Sequence, residues 1–239
     1  MWLIVAQDGD ADARWLAGRL RARANRRVEL IEAGELVHDC RWEHRIGTTV
    51  TASRLALGSG TVIDCGEVDG VLNRLSWLTA EGFEGAPRRD RDYASSELFA
   101  LGMSWLESMG PRVLNQPAGF SLDGSWRTSA HWRALASSVG LPVVPYDSDY
   151  PDDGPHEAGR TVLVVDGRVI GSPATPHDDR LVALQRACGL DIVEVCFGPG
   201  GAVSGVSFLP ALRRYGQACV RAVLAALPRR AVLKPAGLS

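Results

Sequence analysis

The 239 residues allow one large domain or two small ones, and a mix of 46% apolar and 23% charged residues is that of an ordinary globular protein. A net charge of −2 excludes the strongly basic footprint of a dedicated nucleic-acid binder. The apolar opening at residues 1–6 is too short for a signal peptide, with Asp8 and Asp10 following at once, and no stretch approaches the roughly 20 apolar residues of a membrane span. A cytoplasmic protein without membrane contact is therefore expected.

Residues 2–6 predict a first strand. Asp10 can cap a following helix in which Ala13, Leu16 and Leu20 fall on one face. Residues 28–31 predict a second strand, and such a β-α-β opening favours parallel pairing with a right-handed crossover. The Q-D-G-D of residues 7–10 is not a G-x-G-x-x-G fingerprint, so it gives dinucleotide binding no support. Residues 38–64 alternate Thr, Val and Arg around a break at Gly58-Ser59-Gly60, and predict antiparallel ribbons inserted at a sheet edge. His38, Cys40 and His44 share parity, so on an unbroken strand they would point the same way. Imidazole and thiolate suit zinc, but the spacing is unfamiliar and a fourth ligand is missing; packing against a core is the competing account.

Residues 68–75 predict a third core strand ending in Asn73-Arg74, and open α/β sheets keep their ligand crevices at such strand ends. After a polar, turn-rich stretch at 76–91, Asp90 or Asp92 can cap a helix in which Ala94, Leu98, Leu101 and Trp105 share a face, and Gly110-Pro111 stops it. Residues 112–114 extend again, Asn115-Gln116-Pro117 ends them, and Leu122-Asp123-Gly124 makes a turn. Thr128 or Ser125 starts a helix carrying Trp132, Leu135 and Val139, closed by Gly140. Arg127 and His131 lie four apart, with Trp126 and Trp132 beside them; on one helix face they suit an anion or peptide contact as well as a surface salt bridge.

Residues 146–160, rich in Asp, Pro, Gly and Ser, form the best linker in the chain. Beyond it, Asp166-Gly167 between extended runs at 161–165 and 168–170 signals a hairpin. Residues 178–188 predict a helix ending at Gly189, 192–197 a strand, 198–201 a turn and 203–208 its returning partner. A last helix starts near Pro210 with Leu212, Tyr215, Cys219, Val223 and Ala226 on one face, and the tail loosens from Arg229. His177-Asp178-Asp179 could bind a metal, but aspartates at a helix start also serve as caps and complement the helix dipole. The five cysteines, Cys40, Cys65, Cys188, Cys196 and Cys219, are widely spaced with no C-x-x-C, and are read as reduced, mostly buried thiols. There is no G-x-S-x-G and no recognisable cysteine nucleophile.

In this order the pieces resemble an ATP-grasp ligase of the peptide- and amino-acid-ligating kind. The resemblance rests on V-L-N-R at 71–74, Asp92-Tyr93 with Glu97, Asn115 and Pro117, G-L-P at 140–142, V-V-D-G-R-V-I-G at 164–171 and A-C-G-L-D-I-V-E-V at 187–195. It implies an α/β fold with a Rossmann-like N-terminal domain at 1–145, carrying the β insertion at 38–64. A linker at 146–160 then leads to a reduced ATP-grasp-like α+β C-terminal domain at 161–239, lacking most of the nucleotide-binding segment. The lysine expected after Asp123 is replaced by Arg127, and the only lysine in the chain is Lys234. Arginine binds phosphate with a different fork and length. Where the family places its acidic metal ligands, this chain has Cys196, Gly205 and Ser207, whereas Mg²⁺ prefers carboxylate oxygens.

These departures predict a non-catalytic binding or scaffold protein derived from the ATP-grasp fold, with no cofactor and no metal ligand. Its expected partners are a peptide or small-molecule ligand, or a full-length ligase of a biosynthetic pathway, and a homodimer is expected. The alternative is an enzyme running ATP-independent chemistry in the old cleft. The candidate ligand contacts are Asn73, Arg74, Tyr93, Glu97, Arg127 and His131.

Overall fold

A computed structural model describes residues 1–48, 51–80, 85–125, 127–145, 160–171 and 177–231. All but the last residue of the expected linker at 146–160, together with Trp126 and Lys234, lie outside the described residues. The chain divides into two compact units, Met1–Ser125 with Leu224–Ser239, and Trp126–Val223.

In the first unit β1 (Trp2–Ala6) is buried along its whole length, which is the burial of a strand covered on both faces of a parallel sheet. It is followed by α1 (Ala11–Arg21) and β2 (Val28–Glu32), and β1 and β2 pair in parallel as expected. A short helix that the sequence pattern does not announce, α2 (Ala33–His38), comes next. The Asp8 carboxylate accepts from the Gly34 amide at 2.9 Å and so caps it. A Cβ at Gly34 would lie 3.1 Å from both Asp8 oxygens, so glycine is what lets the carboxylate come this close.

Strands β3 (Cys40–Ile46), β4 (Thr51–Leu57) and β5 (Val62–Asp64) make the expected antiparallel ribbon as a separate sheet. The expectation that His38, Cys40 and His44 share one strand is corrected: His38 closes α2 and β3 begins at Cys40. Next come β6 (Gly70–Arg74), α3 (Arg88–Ser108) and β7 (Val113–Leu114), completing a parallel sheet in the order β2-β1-β6-β7. Helix α3 starts earlier than expected. Pro87 precedes its first residue, and Asp90 sits in the first turn, not at the cap. Trp105 of α3 is fully buried, edge-on to Trp42 at 5.0 Å between ring centroids, and its indole donates to Cys65 Sγ at 3.2 Å. His44 bonds Ser53 Oγ at 2.7 Å and Ser104 Oγ at 2.8 Å, so its ring ties the ribbon to α3.

The second unit begins with α4 (Ser129–Ser138), capped by the Thr128 hydroxyl. It continues through β8 (Thr161–Val165), β9 (Arg168–Ile170), α5 (Asp178–Cys188), β10 (Ile192–Phe197) and β11 (Val203–Ser207). The strands form an antiparallel sheet in the order β11-β10-β8-β9. Asp166 and Gly167 both have positive φ, at 45° and 77°, as the two-residue hairpin between β8 and β9 requires. Val162, Val164, Val193 and Val195 join Trp132, Ala136, Leu181 and Leu184 in one core, so α4 and α5 cover one face of this sheet. The last helix, α6 (Gly216–Ala231), runs past Arg229, where the sequence suggested that the chain loosens.

One interaction holds the upper edge of the parallel sheet. Asp10 caps α1 through Oδ1, which accepts from the amides of Asp12 and Ala13, each at 2.9 Å. Its Oδ2 takes the Arg74 Nε–H at 2.7 Å, with side-chain exposures of 6% and 13% for Arg74 and Asp10. Burial pushes the Asp10 carboxyl up, but the Arg74 guanidinium and the two amides outweigh it and hold the group below its ordinary value. We predict that Arg74→Met, which strands the carboxylate, lowers stability by about 3 kcal/mol or more in urea unfolding. Because the folded value is depressed, this contribution is present above the unfolded carboxylate value of about 4 and is lost as pH falls through the folded one. The acid sensitivity of the native protein should shrink in the double variant Asp10→Asn/Arg74→Met.

Candidate functional site

Four of the residues singled out from the sequence lie on the first unit. Asn73 and Arg74 end β6, and both are buried. The Asn73 amide donates to the carbonyls of Asn115 at 2.8 Å and Leu122 at 2.6 Å, and its Oδ1 accepts from the Leu75 amide at 3.1 Å. The turn it pins carries Asp123, which is buried and accepts from Ser76 Oγ, Ser121 Oγ and the Ser125 amide. Tyr93 and Glu97 lie in the first half of α3, four residues apart, and both are exposed.

The other two lie on the second unit. Arg127 precedes the α4 cap and does not share a helix face with His131, because Thr128 starts the helix between them. Its Nη1 donates to the Cys188 carbonyl. His131 lies exposed in the first turn of α4.

The polar chemistry of the second unit gathers on the sheet face that α4 and α5 leave uncovered. Alternation along β10 places Glu194 and Cys196 together on that face, with Thr161 of β8 and Gly205 and Ser207 of β11 as their cross-strand partners. Glu194 is 5% exposed. Its Oε1 accepts from the Tyr215 hydroxyl at 2.6 Å and from Arg214 Nη1 at 3.4 Å, and its Oε2 lies 3.4 Å from the Ala211 amide. Thr161 Oγ1 is 3.0 Å from the Tyr215 hydroxyl and accepts from Arg214 Nη1 at 2.9 Å. The turn before α6, Leu212–Tyr215, thus lays an arginine and a phenol over the only carboxylate on β10.

Gly171, the last residue of the V-V-D-G-R-V-I-G run, explains how the phenol gets there. Its φ is +95°, and a Cβ would come within 2.7 Å of the Tyr215 ring. Burial, then the Glu194 carboxylate, pushes the Tyr215 phenol well above its ordinary range. Burial likewise raises the Cys196 thiol, helped by Glu194 and opposed by Arg214, so it stays protonated at neutral pH. The sequence contained a signal for this site in the V-E-V of residues 193–195, but nothing in it showed that Tyr215 and Arg214 would close over the carboxylate.

No protein-family model and no curated protein matches the sequence. Solved structures do match. The macrocyclase MdnB from Microcystis aeruginosa MRC is similar with a TM-score of 0.64 at 15% identity, over 95% of this chain and 98% of that one. The ATP-grasp ligase PsnB, complexed with minimal precursor, Mg and ADP, is similar with a TM-score of 0.67 at 15% identity, over 97% and 98%. A RiPP-associated ATP-grasp ligase from Chryseobacterium gregarium, in complex with ADP and a leader and core peptide, is similar with a TM-score of 0.67 at 10% identity, over 95% and 94%. The chain therefore has a mixed α/β fold of the ATP-grasp ligase kind.

The expectation of a non-catalytic scaffold is corrected by this finding, and its ATP-independent alternative gains no support. The neighbours are macrocyclases and ligases, matched along nearly their full lengths. The expectation leaned on the loss of individual side chains, whereas the fold along nearly the whole chain is that of the ATP-grasp ligases.

The donor set still differs from a Mg²⁺ site. A thiol, a glycine and a serine stand around Glu194, whose oxygens already serve Tyr215, Arg214 and the Ala211 amide. Among the described residues, no group of three or more His, Cys, Asp or Glu could hold a metal ion. These residues do not fit Mg²⁺, which takes hard oxygen ligands in near-octahedral array. Among the described residues, no helix is long and apolar enough to cross a membrane.

Tyr215 should ionise above the ordinary phenol value of about 10 in an ultraviolet titration of the native protein. Tyr215→Phe should remove that phase. Because the folded value is raised, the associated stability is full below about pH 10 and is lost as pH rises through the folded value.

Proposed function

We propose that the chain is a peptide-modifying ligase: it binds a peptide and joins a carboxyl group to an amine or hydroxyl with loss of water, using ATP as co-substrate. What supports this reading is the likeness to peptide-bound ATP-grasp ligases along almost the whole chain. Condensation in water is uphill, and coupling to ATP supplies the driving force. The peptide is the partner, and the finer organisation belongs to the same proposal. A Rossmann-like front domain spans 1–145, a linker 146–160, and a reduced ATP-grasp-like domain 161–239.

In this reading arginine carries the phosphate charge that lysine would otherwise carry. Arg214 is the best placed on the polar face of β10, with its side chain 56% exposed and its Nη1 fixed by Thr161. Arg127 is the second such contact, and His131 in the first turn of α4 is a further polar group on the same unit. On the first unit, Tyr93 and Glu97 offer an aromatic ring and a carboxylate to a peptide, and Asn73 and Arg74 hold the strand end on which the peptide side of the protein is built.

The experiment is incubation of the purified protein with ATP and peptides that carry Asp or Glu together with Lys, Ser or Thr, followed by mass spectrometry. The expected product is lighter by one water for each bond formed, with ADP released in step. Arg214→Ala should lower kcat/KM by about tenfold, the effect of losing one charge-assisted contact. Unchanged peptides with no ADP release, across sequences with both kinds of nucleophile, would refute the reading.

A further inference from the structure

The second unit contains a cavity that the ligase reading does not use. Its volume is about 380 Å³, and Pro142, Val162, Leu181 and Phe197 give it apolar walls. Pockets for small organic ligands run from about 300 to 1,000 Å³, so this one is sized for a compact molecule. It is not an extension of the polar face. Val162 and Phe197 have the opposite parity to Thr161 and Cys196 and belong to the face covered by α4 and α5.

Two polar side chains enter this apolar setting. Arg160 is exposed at the edge, with its guanidinium carbon 6.0 Å from the centre of the Phe197 ring. Among the described residues it has no carboxylate partner. His177 stands at the start of α5, where its carbonyl accepts from the Leu181 amide. Its Nδ1 is buried and makes no hydrogen bond among the described residues. A buried ring nitrogen without a partner is uncommon in folded proteins and needs a reason.

A turn of small residues borders the cavity at its mouth. Gly200 and Gly201 both have φ of +78°, and a Cβ on either would meet nothing within 4 Å. The backbone conformation, not crowding, demands glycine there, and the absence of side chains keeps the mouth open.

We propose that this cavity binds a compact planar organic carboxylate. The apolar walls and the Phe197 ring take the flat part. The carboxylate pairs with the Arg160 fork in the bidentate geometry that guanidinium favours, and the His177 side of the wall bounds the ligand at the start of α5. A cation is disfavoured by Arg160, and a purely apolar ligand would leave its guanidinium unanswered.

The probe is benzoate, with neutral benzamide as its isosteric control, titrated into the full chain by calorimetry. Saturable benzoate binding is expected, with benzamide and the Arg160→Gln variant each weaker by about tenfold. Arg160 is exposed, so this variant should melt like the native protein. No saturable binding up to about 10 mM would overturn the proposal. So would benzoate binding that Arg160→Gln leaves unchanged, or benzamide binding as well as benzoate.

Discussion

The first unit depends on a carboxylate that does two jobs at once. Asp10 satisfies the open amides at the start of α1 with one oxygen and neutralises a buried arginine with the other. Without it, Arg74 would be a nearly buried cation at the end of β6, and α1 would begin with open donors. The loop after β1 repeats the device with Asp8, which caps α2 through the Gly34 amide. Next to it, Asn73 fastens the loops that follow β6 and β7 by bonding three backbone groups. The upper edge of the parallel sheet is therefore a rigid polar lattice, and the exposed Tyr93 and Glu97 project from a different element, α3.

The second unit uses a comparable arrangement on one face of its antiparallel sheet. Glu194 is the carboxylate, Tyr215 and Arg214 are its donors, and Gly171 gives the phenol its room. The Glu194 charge is balanced there by the Arg214 guanidinium and the Tyr215 hydroxyl. Fold and donor set thus point at different features of the same protein. The fold is of the ATP-grasp ligase kind, and the local chemistry is that of a guanidinium and a phenol around one carboxylate.

Much of the fold was legible in the sequence. The strands at β1, β2 and β6, the ribbon of β3 to β5 and the Asp166-Gly167 hairpin all follow from apolar runs, alternation and turn chemistry. The Asp10 cap could be read directly, because cap preference is local. Helix α2 could not, since its cap comes from Asp8, on the far side of α1 and β2. The start of α3 was misplaced because two aspartates looked like caps, whereas Pro87 sets the entry. Local pattern also failed to show how Tyr215 and Arg214 meet Glu194, a contact spanning 21 and 20 residues. The inference to a non-catalytic protein went wrong one level higher, by letting missing side chains outweigh the persistence of a whole architecture.

The central claim is that this chain couples ATP to bond formation on a peptide carboxyl. The most direct measurement follows a heavy-oxygen label placed in the side-chain carboxyl of a substrate peptide. If the claim holds, one labelled oxygen leaves the carboxyl for each bond made and appears in the inorganic phosphate released. Label that stays in the peptide, or phosphate released without label, would contradict it.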